Sequence, residues 1–126
     1  MATLAVLRHD EGIRVDAGRV AMIYAGRSRR DAEEILQRGI EGLVARVVRM
    51  QRHYDATDRA ALVRSARFAV RMADQLGMTS FGLVAQDLIR ATEAEDETAA
   101  AATLARLLRI VHRSVSAIHD LRNMTM

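Results

Sequence analysis

Three arginines, Arg64, Arg67 and Arg71, stand three and four residues apart in the stretch RSARFAVRMADQLGM, 64–78. On a helix that spacing makes one positive stripe, with like charges repelling by roughly 0.2–0.5 kcal/mol per pair. A guanidinium stays protonated at any working pH and presents a planar fork of donors. Its chemistry is therefore recognition of carboxylate or phosphate, bidentate where geometry allows. The plainer reading is a solvated helix face, with Asp74 three residues past Arg71 relieving part of the repulsion.

Few other residues offer chemistry. His112 and His119 are seven apart, roughly 10.5 Å along a helix, which is too far for both to ligate one metal. His112 alone is a conceivable phosphate acceptor, because an exposed neutral imidazole has the lone pair needed. His53 beside Tyr54 reads as a helix C-terminal residue favoured by the dipole, and His9 lies in an ambiguous turn. Glu33-Glu34 and Glu95-Asp96-Glu97 read as acids at helix starts. No Ser-His-Asp arrangement, glycine-rich phosphate loop or His-Glu-x-x-His run is visible, so the sequence leans away from enzymatic activity. It suggests no cofactor and no metal site. There is no cysteine, which excludes disulfides and thiolate chemistry.

The elements that must position these residues follow from composition and period. The chain has 126 residues, no proline, no tryptophan, two phenylalanines and two tyrosines, and half of it is hydrophobic. One all-helical domain with an aliphatic core is expected. Every basic residue is arginine. From Arg14 to Arg71 there are 13 arginines against 7 acids, and from Met72 onward 5 against 7. One half is therefore basic, which suits an acidic protein partner at least as well as nucleic acid. The N-terminal apolar run is too short for a secretory signal and meets Arg8. No stretch is long and apolar enough to span a membrane, and the expected location is the cytoplasm.

Residues 1–15 read as an arm or small hairpin around Asp10-Glu11-Gly12, and 16–126 as a helical bundle. Asp16 is expected to cap a short helix through Tyr24, with Val20, Ile23 and Tyr24 inward and Gly26 ending it. Ser28 and Asp31 resemble a capping box opening a helix to about His53, with a seam of Leu36, Ile40, Leu43, Val47 and Met50. Gly39 and Gly42 weaken that helix by roughly 1 kcal/mol each and suggest a close neighbour. Asp55 or Thr57 is the expected cap of the next helix. Its seam is Leu62, Ala66, Ala69, Ala73 and Leu76, and Gly77 is its left-handed stop. Thr79 or Ser80 should cap a fourth segment with Phe81, Val84, Ala85 and Leu88 inside. After the acidic stretch 92–97, a last helix carries Leu104, Leu107, Leu108, Val111, Val115 and Ile118. Short connections between long amphipathic helices imply an antiparallel up-down four-helix bundle with a short segment in front.

Over 54–111 an acidic turn, YDATDRAAL, precedes a helix ending AxxLG, then a cap, an apolar helix, an acidic break and a long closing helix. This order of parts resembles the histidine phosphotransfer (HPt) domain of bacterial phosphorelays. Ala73, Leu76 and Gly77 match the end of the family pattern H-x-L-K-G-x-A-x-x-L-G, and Phe81, Ala85 and Leu88 match the following helix. Counting back from Gly77, the resemblance places the phosphoacceptor histidine at Arg67, the lysine at Val70 and the small glycine at Arg71. None of the three is kept. The resemblance therefore implies a phosphorelay protein without phosphotransfer at the usual place, binding a receiver domain of a response regulator or a kinase domain as scaffold or decoy. Arg64, Arg67 and Arg71 would be its contact, with His112 the other candidate acceptor. Two further readings come from other classes. One is a small basic helical protein binding nucleic acid, disfavoured by the lack of interleaved aromatics and of a recognition helix. The other is a helical assembly subunit, suggested by the glycine pair and the N-terminal arm.

Overall fold

Asp16 caps the first described helix. Its carboxylate accepts from the Arg19 N–H at 3.1 Å, filling one of the orphan donors of a helix start, and α1 runs Ala17–Tyr24. The computed structural model describes residues 14–124, without the side chains of 114, 115 and 117–124. The arm or hairpin expected over 1–15 falls mostly outside that range. Its described end, 14–16, lies along 77–80: the Asp16 N–H donates to the Gly77 carbonyl at 2.6 Å, and the Arg14 N–H to Ser80 Oγ at 2.6 Å.

Four longer helices follow: α2 Arg29–Asp55, α3 Arg59–Leu76, α4 Thr79–Glu93 and α5 Glu97–Met124. Ser28 caps α2 as expected, accepting from the Asp31 N–H at 3.1 Å. The cap of α3 differs from both candidates. Asp58 does it, accepting from the Ala61 N–H at 3.1 Å, because α2 continues through Asp55 and Thr57 takes a left-handed turn with φ 57°. Thr79 and Ser80 do not cap α4. Its first turn has Met78 at the cap with no side-chain hydrogen bond, and the Ser80 hydroxyl is engaged by Arg14.

Every described helix buries the seam its spacing foretells, with one shift of register. Leu36, Ile40, Leu43, Val47 and Met50 of α2, Leu62, Ala66, Ala69, Ala73 and Leu76 of α3, and Phe81, Val84, Ala85 and Leu88 of α4 are all in the core. In α5 the buried line is Ala100, Leu104, Leu107, Ile110 and Val111, while Leu108 is 45% exposed. The 4-3-4 stepping from Ala100 to Val111 leaves Leu108 on the flank. Val115 and Ile118 lie outside the described side chains.

α2 packs against α3 and α5, α3 against α4, and α4 against α5, with α1 over α2 and α3. The α2–α3 contact explains the two glycines. A Cβ on Gly39 would stand 2.5 Å from Leu76 Cδ2, and one on Gly42 2.8 Å from Met72 Cε. Both glycines therefore receive side chains of α3 within the same chain, which removes the glycine pair as a basis for the assembly-subunit reading.

One core position is chemically awkward. Ser65 on α3 is 4% exposed and its hydroxyl has no hydrogen-bond partner among the described residues. A buried hydroxyl left unpaired costs roughly 1–3 kcal/mol, and alanine is also the better helix former. Ser65→Ala is therefore expected to raise stability by about 1 kcal/mol, read as a higher urea midpoint with unchanged slope. A fall in the midpoint would mean that the hydroxyl is satisfied.

Candidate functional site

The α3 seam points Leu62, Ala66, Ala69 and Ala73 inward and leaves Arg64, Arg67, Phe68 and Arg71 exposed. All three arginines of the expected stripe thus face outward. Their surroundings divide them. Arg67 leans toward α4, where Nη2 donates to Glu93 Oε2 at 2.9 Å; the two side chains are 55% and 53% exposed. Arg71 leans the other way, with its guanidinium carbon 5.5 Å from the Phe68 ring centroid. Among the described residues neither Arg64 nor Arg71 has an ion pair. The single stripe expected from spacing is therefore one neutralised cation and two open ones.

The other helix at this face is α2. Arg46 sits with its guanidinium carbon 4.3 Å from the Phe68 centroid, within reach of a cation–π attraction. Burial, and then repulsion from Arg49, hold the Arg46 guanidinium below its ordinary pKa, although it remains charged at neutral pH. Arg46 and Arg49 likewise form no ion pair among the described residues. Phe68 is 42% exposed. A solvent-facing phenyl ring with guanidiniums from two helices about it marks this face.

The opposite polarity gathers at the α2–α3 and α4–α5 turns, around a cavity of about 320 Å³ lined by His53, Tyr54, Arg59, Leu62, Thr92 and Glu97 among others. Its acids have structural work. Asp58 caps α3, and Asp96 accepts from the Ala99 N–H at 3.0 Å. Arg59 reaches Glu97 at 3.4 Å and Glu95 at 3.9 Å. At the start of α2, Glu33 and Glu34 likewise pair with Arg29 and Arg30. Among the described residues no three His or acidic side chains are placed to hold a metal ion.

His112 is exposed on α5, away from these two clusters in sequence and on a different helix from the arginines. His53 is half-buried and lines the cavity. His9 and the side chain of His119 lie outside the described part. The sequence reading passed over Phe68, Arg46 and Arg49. One signal was legible: Phe68 falls between the seam positions Ala66 and Ala69 of α3, so it could not share their face. Its pairing with Arg46 was not legible, since 22 residues and a turn separate them.

Comparison of the chain with protein-family models, curated proteins and solved structures yields no match. What stands is all-helical architecture, a basic aromatic face, and, among the described residues, no helix long and apolar enough to cross a membrane.

Proposed function

We propose that this protein is a signalling interaction module of the phosphorelay kind: an HPt-like domain that binds a receiver or kinase domain as scaffold or decoy and does not relay phosphate. An antiparallel up-down four-helix bundle is the architecture this implies. The local order of contacts supports it. Gly39 faces Leu76 and Gly42 faces Met72, so α2 rises as α3 falls, and turns of two or three residues join the successive long helices from α2 to α5. The compartment this reading implies is the cytoplasm.

The observation that carries the proposal is Arg67. It stands exposed in the middle of α3, at the position where the resemblance puts the phosphoacceptor. An imidazole attacks phosphorus through a lone pair; a guanidinium has none. It can only bind a carboxylate or phosphoryl group, as it binds Glu93 in the free chain. Arg71, in place of the small glycine, adds a second fork where relatives leave room.

The test is binding to a panel of purified receiver domains by calorimetry, with radiolabel transfer measured in parallel. At least one receiver is expected to bind, and Arg64→Ala combined with Arg71→Ala should weaken it by about tenfold or more. Label should not pass from a phosphorylated receiver onto the chain. Acid-labile phosphate on His112 would overturn the non-relay reading, and no binding across the panel would overturn the receiver reading. If Arg67→Ala and the double variant both leave tight binding intact, the stripe is not the contact.

A further inference from the structure

We propose that the docking surface is centred on Phe68 rather than Arg67, spans α2 and α3, and takes an acidic helix of a partner protein that sets carboxylates on both sides of an apolar side chain. This deepens the interaction-module reading and rests on it. Phe68, with the half-buried Met72 one turn on, supplies an apolar floor. Arg46 and Arg49 from α2 and Arg64 and Arg71 from α3 supply cations that find no carboxylate among the described residues. Arg67 is left aside because Glu93 already answers its charge at 2.9 Å.

Charge complementarity names the occupant. A guanidinium laid over a ring keeps its in-plane N–H edge free, and that edge matches a carboxylate bidentately. Arg46 and Arg49 repel each other, and an incoming anion relieves that repulsion. The stack also argues against single-stranded nucleic acid. Such ligands bind by laying bases on exposed aromatic faces, and Arg46 lies 4.3 Å from the ring centroid. A neutral apolar partner would leave the four guanidiniums partly desolvated without compensation.

The experiment uses the full chain and three fluorescently labelled probes. They are an amphipathic helical peptide of Glu, Ala and Leu with glutamates flanking each leucine, its twin with Gln for Glu, and oligothymidylate. Anisotropy is expected to show the acidic peptide binding and the twin binding at least tenfold more weakly. Phe68→Ala and Arg46→Gln should each lower affinity for the acidic peptide by about tenfold or more, whereas Arg30→Gln, on the first turn of α2, should leave it within twofold. Phe68 is partly exposed, so its variant should fold, and a circular dichroism melt verifies this; Phe68→Leu should retain more affinity than Phe68→Ala. No binding of the acidic peptide, equal binding of the twin, insensitivity to Phe68→Ala and Arg46→Gln, or preference for oligothymidylate would each overturn the proposal. Receiver domains separate the two readings. A receiver that binds wild type and Phe68→Ala equally overturns this inference and leaves the receiver reading standing. Peptide binding at Phe68 with no receiver bound supports this surface and ends the receiver reading.

Discussion

Phe81→Ala should lower the stability of the fold by about 3–5 kcal/mol. Phe81 is the largest of the fully buried side chains, on the first turn of α4, and it is part of the continuous core that joins α4 to α2, α3 and α5. Truncation removes the transfer free energy of a phenyl ring and leaves a cavity that four helices cannot easily collapse into. The chain holds only two phenylalanines, and the other one is on the surface. A urea titration measures the effect, and the thermal midpoint should fall by roughly 10–20 °C for a domain of this size. A loss below about 1 kcal/mol would mean that the α4 core repacks freely. The comparison with Phe68→Ala is informative because both delete the same ring. The buried ring should cost stability and the exposed one binding, and the reverse pattern would contradict the placement of both.

Gly77→Ala comes next in size, through the backbone. Gly77 has φ 76° and closes α3 with a paired motif: its N–H donates to the Asp74 carbonyl at 3.2 Å, and the Met78 N–H to the Ala73 carbonyl at 2.8 Å. A left-handed residue with a Cβ costs roughly 1–2 kcal/mol. Here the Cβ would also stand 2.8 Å from the Asp16 carbonyl oxygen and 3.1 Å from Arg19 Cβ. That carbonyl cannot easily retreat, because the Asp16 N–H is bonded to the Gly77 carbonyl itself and the Asp16 carboxylate caps α1. The expected loss is about 2–4 kcal/mol in all. Faster hydrogen exchange at the Asp16 amide should accompany it as 14–16 detach from 77–80. An equal loss of stability with Asp16 still protected would place the cost in the φ angle alone.

Both substitutions bear on the proposed docking face indirectly. α4 carries Glu93 to Arg67, and the end of α3 holds Met72 and Leu76 against the glycines of α2. Loosening either contact should blur the register that brings Arg46 to Phe68, so weakened binding in these variants must be read against their stability.

Periodicity along the chain determined a great deal here. The seams of α2, α3 and α4, the caps Asp16 and Ser28, the left-handed stop at Gly77 and the close neighbour implied by Gly39 and Gly42 all follow from residues within a turn or two of one another. At that range the 3.6-residue repeat and backbone sterics fix geometry without help from the rest of the fold. The absence of an acceptor imidazole from α3 is equally local, since side-chain type alone forbids the chemistry. Other assignments were decided by competition among neighbours. Asp58 displaced Asp55 and Thr57 as a cap once α2 ran on to Asp55, and Ser80 was claimed by Arg14, 66 positions away. The charge of the stripe was settled only in three dimensions. Arg67 meets Glu93 across 26 residues, and Arg46 meets Phe68 across the α2–α3 groove. Helix periodicity says which way a side chain leaves its own axis; the packing of one helix on the next decides what it finds there.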